Sequence, residues 1–225
     1  MADDPYDSKY VLFLTCVLSH LPMVCVVVFL ARRNLRFEAV TGAYSVIVSV
    51  MYHMCECFET RLFMSEGRWH RLDNIGAIVC VGCSCIQLAG FENRAVLEYL
   101  QYTVVFIIII LQEAAPWDIR YTIGPIAICI AVPVVAHLLD RRRRQVFLMR
   151  RLINGLIALA IGGIFFVLGL DEANDPARMY HGLFHICITI TVFFFYYSLR
   201  PAIERKRKSP HLTSLDDPVA VVLNL

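Results

Sequence analysis

Two histidines, His181 and His185, stand four residues apart at the head of an apolar run, MYHGLFHICITIT. Residues i and i+4 share one face of a helix, so both imidazoles point the same way. A third imidazole from another helix, His53, completes three nitrogen ligands for zinc. Three protein ligands and an open position make the pattern of a catalytic zinc rather than a closed structural one. Asp73 then serves as a base beside the metal. Ser49, four residues before His53 and on its face, can hydrogen-bond water, a ligand or a substrate oxygen. The metal-free alternative is a Ser49, His53, Asp73 triad with an activated nucleophile, which leaves His181 and His185 without a task.

These groups must be positioned by helices in lipid. The 225 residues are 58% hydrophobic and 18% charged, with a mean hydropathy of +0.62. That balance excludes an ordinary soluble domain and indicates an integral membrane protein. A span takes roughly 20 helical residues. Seven segments qualify: about 10–30, 39–58, 73–91, 94–112, 121–139, 152–170 and 180–200. The expected fold is all-α, a seven-transmembrane helix bundle. It divides into a short N-terminus (1–9), a membrane domain (10–200) and a basic tail (201–225). The acidic start MADDPYDSK lacks the positive region of a signal peptide, so the first segment is expected to be retained.

Lys and Arg fix the orientation. With the N-terminus outside, 15 of the 21 fall in inner pieces, including Arg141–Arg144 and Arg205–Lys208, and 6 in outer ones. The N-terminus is therefore expected outside and the C-terminus in the cytoplasm. The RKRK run at 205–208 suits anionic inner-leaflet lipid.

Ionisable residues inside spans are costly and mark function. They are His20, His53, Glu56, Asp73, Glu98, His137, His181 and His185. In this topology His53, Asp73, His181 and His185 reach similar depth near the outer face. An isolated imidazole such as His20 or His137 is expected to hydrogen-bond between helices. Glu56 and Glu98 read as interface or hydrogen-bonding residues rather than catalysts. Most of the nine cysteines lie within spans as small hydrophobes, CVGCSC included; Cys55 and Cys57 stand near the outer interface, where a disulfide is possible.

The set Ser49-x-x-x-His53, Asp73 and His181-x-x-x-His185 resembles the superfamily of alkaline ceramidases and adiponectin-type receptors. Within it, LSHLPMVCVVVFLARRNLRFEA (18–39), SVMYHMCE (49–56), IGPIAI (123–128) and YHGLFHIC (180–187) resemble the myomaker and transmembrane-protein-8 family over essentially the whole chain. The resemblance implies seven helices, zinc held by His53, His181 and His185, a multi-pass plasma-membrane location, and a role in myoblast fusion. It also implies a lipid-accessible cavity, membrane lipid as a partner, a homodimer and a fusogenic partner protein. Nothing in the sequence suggests nucleic acid. Two departures stand out: His53-Met54-Cys55-Glu56 replaces the family's His-x-Cys-Asp, and the tail has no Cys for acylation.

The fusion reading makes the zinc structural. The rival is a zinc-dependent lipid hydrolase in which Ser49 and Asp73 join the catalysis; an adiponectin-type receptor is the third and weakest reading.

Overall fold

A computed structural model of the chain describes residues 9–91, 93–115, 118–140 and 147–199. The acidic residues before Lys9, the Arg141–Arg144 run and the tail with Arg205–Lys208 lie outside the described residues. Seven long helices are described: α1 (Lys9–Arg32), α2 (Arg36–Phe58), α3 (Glu66–Leu88), α4 (Arg94–Ala114), α5 (Arg120–Leu139), α6 (Met149–Gly169) and α7 (Met179–Ser198).

Six of them, all but α2, are long and apolar enough to cross a membrane, so this is a helical multi-pass membrane protein. Lipid offers no hydrogen bonds to an exposed backbone, which makes the helix the natural spanning form. Helix α2 has the length but not the composition, because Glu38, Ser45, Ser49 and His53 form a buried stripe along it. Its polar face looks inward, the reverse of a soluble amphipathic helix.

Helix α3 lies at the centre, packed against α2, α4, α5 and α7, while α1 packs on α2 and α7 and α6 lies along α7. The outer surface is apolar, with Phe106, Ile110, Ile128, Leu138, Ile164 and Val167 among its exposed side chains. Pro125 and Pro133 stand inside α5, tolerated because neighbours and local adjustments accommodate the freed carbonyls.

The ends of the bundle differ. At one end Arg33 donates to the carbonyls of Tyr196 and Leu199, and Arg151 to that of Tyr197. These cations satisfy carbonyls orphaned at the C-terminus of α7. Nearby, buried Glu38 accepts from the side-chain amides of Gln87 and Gln101, so the buried carboxylate has partners from α3 and α4. His137 meets its expectation, hydrogen-bonding the Leu88 carbonyl at 2.8 Å across helices. Glu98 forms an exposed pair with Arg94. Just before α5, Asp118 is bonded by Arg120 at the start of that helix, which holds its carboxyl below the usual carboxylate range.

The third span differs from its expected 73–91: α3 begins at Glu66 and ends at Leu88. The polar segment EGRWH still winds as helix because Trp69 is buried against α2 and donates to the Leu62 carbonyl. Asp73 consequently sits two turns inside α3 rather than at its start. All nine cysteines are free thiols. Cys55 and Cys57 are two apart on α2, on different sides of the helix, so they cannot pair with each other.

Small residues work within the fold. A Cβ at Gly155 would meet Phe195, at Gly162 Cys187, at Gly76 Ser45 and at Gly82 Val104; at Gly163 there is open space. The close helix approach they permit is the membrane packing rule.

Candidate metal centre

The site lies at the end of the bundle away from Arg33 and Arg151, where α1, α2 and α7 meet. Helix α1 is irregular there. Pro22 has no N–H and its ring crowds the carbonyl four residues back. The Leu21 N–H takes the Leu18 carbonyl in a 3₁₀ turn instead, and the Leu18 N–H reaches Phe13 in a π turn. Such π segments inside helices recur at functional sites. This one frees the Cys16 carbonyl, which accepts from Ser19 Oγ and from His20 Nδ1, each at 2.8 Å.

Helix α7 is aimed by its start. Ala177 and Arg178 have positive φ of 55° and 53°, and the buried Asp175 carboxylate accepts from the Tyr180 and His181 N–H groups at 2.7 and 3.1 Å. A side-chain acceptor on the first free N–H groups is the logic of an N-cap. Gly182 lets α7 touch α1, since a Cβ there would strike the Thr15 backbone. Thr15 Oγ1 in turn donates to the Ala177 carbonyl at 2.6 Å.

Four imidazoles result. His20, His53 and His185 are buried and offer ligand atoms that all lie within 4.8 Å of one another. The His20 and His185 ring centroids are 4.0 Å apart and those of His181 and His185 are 4.6 Å apart. His181 Nε2 stands 3.3 Å from His53 Nε2. The rings of the three expected ligands, His53, His181 and His185, are thus neighbours. The three imidazoles whose ligand atoms all converge are instead His20, His53 and His185, with His181 against His53 at their edge. The expected hydrogen bond of His20 between helices is also present: Ser49 Oγ and His20 Nε2 are 2.7 Å apart.

Tautomers follow from the partners. A carbonyl only accepts, so His20 carries its proton on Nδ1 and a lone pair on Nε2. His53 Nδ1 lies 2.8 Å from Glu56 Oε2, so it donates to that carboxylate and leaves its Nε2 lone pair facing His181. Glu56 also pairs with Arg178 at 3.4 Å. This carboxylate–histidine pairing fixes ring orientation and ligand basicity in metal sites. Glu56 was expected as an interface or hydrogen-bonding residue, and it is the hydrogen-bond partner that orients His53.

The donors fit a metal ion. His185 Nε2 is buried with no hydrogen-bond partner, a costly state that a cation would relieve. Four-coordinate metal with ~2.0–2.1 Å bonds to nitrogen separates neighbouring ligands by ~3.3–3.4 Å, matching the His53–His181 separation. Cys16, His53 and Glu56 also have ligand atoms within 4.8 Å of one another, but Glu56 is engaged by His53 and Arg178.

Asp73 is half-buried, with Ser49 in hydrogen-bonding reach and His53 within electrostatic reach. Ser49, His53 and Asp73 are thus neighbours. A cavity of about 220 Å³, lined by Cys16, Glu56, Cys57, Asp175 and Arg178 among others, adjoins the site on its Glu56 side.

Sequence reading assigned His20 only a hydrogen-bonding role and did not single out Asp175. Pro22, two residues after His20, was the available signal for the first. Asp175 gave none, because its cap depends on two residues with positive φ.

A family model described as "Protein of unknown function (DUF3522)" matches residues 8–186 of the chain. No curated protein matches the chain closely enough to count as a relative.

Proposed function

The chain belongs to the DUF3522 family of proteins of unknown function, and we propose that it is a plasma-membrane protein promoting cell-cell fusion, as in myoblasts. In this reading a zinc ion ties α2 and α7 together at the outer leaflet, with the N-terminus outside and the C-terminus in the cytoplasm. The convergence of His53, His181 and His185, with Glu56 orienting His53, is the observation that carries it. A ligand set of neutral imidazoles suits zinc over hard cations such as calcium or magnesium. Zinc supplies cross-linking of helices distant in sequence; the chain supplies their orientation through Asp175, Gly182 and Glu56. Membrane lipid beside the histidine end, a second copy of the chain and a fusogenic partner on the apposed cell complete the proposal.

The test is mixing of two cell populations carrying different cytosolic dyes, with expression of wild type, His53→Ala or His185→Ala. Fusion above background by wild type and its loss in both variants support the reading. Equal fusion by all three overturns the metal's role, and none by wild type overturns the function.

The neighbouring Ser49 and Asp73 favour one second reading, a zinc-dependent lipid hydrolase acting on amide or ester bonds. There Asp73 accepts the proton and Ser49 steadies the carbonyl oxygen. Asp73→Asn separates the two: it leaves fusion intact if the metal only braces the helices, and it abolishes release of fatty acid or sphingoid base from labelled lipid if the protein hydrolyses it.

A further inference from the structure

Resting on the metal-centre reading above, we infer that His20 is a fourth nitrogen ligand, so that the metal is closed by four histidines and has no open position. Three observations converge on it. His20 is 2% exposed and its ring is 4.0 Å, centroid to centroid, from that of His185, whose Nε2 has no hydrogen-bond partner. Its tautomer is fixed for ligation, because Nδ1–H is held by the Cys16 carbonyl and the lone pair on Nε2 is turned into the bundle. Finally, it rides on the one irregular stretch of α1, where the π and 3₁₀ turns break the regular ladder. Such a segment adjusts its side chain by small backbone shifts, without the cost of unwinding a regular helix.

Ser49 is then the partner of His20 when no metal is held. Its hydroxyl donates to His20 Nε2 at 2.7 Å, giving a buried lone pair a partner that would otherwise be missing. On metal binding this bond is exchanged for coordination, and Ser49 can turn its hydroxyl towards Asp73, which stands in reach. Four protein ligands are the pattern of structural zinc, and three with an open position that of catalytic zinc. His20 therefore assigns this centre to the structural class and leaves the hydrolase reading without a vacant coordination position.

The experiment uses the full chain in nanodiscs. X-ray absorption at the zinc edge counts imidazoles from their multiple-scattering signal, and cobalt(II)-loaded protein is titrated with azide. Four imidazoles in wild type and a cobalt spectrum indifferent to azide are expected. His20→Ala should lose one imidazole, gain an oxygen scatterer and show an azide-dependent shift. Three imidazoles in wild type, or an azide response equal in wild type and variant, overturn the inference while leaving the metal centre standing. Wild type that holds no metal overturns both. The wild-type count decides the matter even where the variant fails to fold.

Discussion

The Nε2 atoms of His53 and His181 face each other at 3.3 Å between α2 and α7, although 128 residues separate them in the chain. The His53 lone pair is directed there because Glu56 holds its other nitrogen. Two imidazoles in that posture either share a proton or share a cation. The unpartnered His185 nitrogen nearby favours the cation.

Metal content measures this directly. Purified wild type should carry about one zinc per chain by elemental analysis, while His53→Ala, which removes a fully buried imidazole, should fall to background. Zinc at background in wild type would sink the centre.

Glu56→Gln tests the orientation of His53. The amide keeps the shape but loses the charge that makes His53 a stronger ligand and that pairs with Arg178. Metal affinity in competition with a fluorescent chelator should drop ~10–100-fold, with the folded state retained. Unchanged affinity would mean that Glu56 serves only the ion pair with Arg178.

Gly182→Ala tests whether the contact of α1 with α7 positions the site. The added methyl strikes the Thr15 backbone, which cannot rotate away as a side chain can. Overpacking of this kind costs about 1–3 kcal/mol, so thermal stability in detergent and metal occupancy should both fall. Gly163→Ala, where the space is open, should change neither. Equal behaviour of the two variants would count against the close approach.

Asp175→Ala removes the acceptor for the first N–H groups of α7. Loss of a capping side chain costs ~0.5–2 kcal/mol, and here it also releases the segment that carries His181. Faster amide exchange at residues 179–182, with weaker zinc retention, is the expected outcome. Protection equal to wild type would show that the two residues of positive φ suffice to start the helix.

Much of the membrane architecture was written in composition. Six of the expected spans correspond to helices apolar enough to cross a bilayer, because apolar length is a local property and lipid demands backbone self-satisfaction. The i, i+4 spacing of His181 and His185 was legible for the same reason. The seventh helix, α2, was legible as a helix, but its buried polar stripe leaves it short of the composition expected of a span. Helix α3 was expected seven residues late because EGRWH looks like a loop until Trp69 is buried.

By itself, then, the sequence determined that the chain is built of helices, most of them apolar enough to cross a membrane, and that His53, His181 and His185 could meet. Only the tertiary structure decided that His20 meets them too, that Glu56 serves His53, and that Asp175 aims α7. The first and the last of these depend on where a backbone leaves regularity, at Pro22 in α1 and at Ala177 and Arg178 before α7. Glu56 and His53 are instead an i, i+3 pair within regular helix, whose shared task shows only once His181 stands opposite. Hydrophobic periodicity reports which face of a helix is buried; it carries no information about what stands opposite that face, which is fixed by packing between segments distant in the chain.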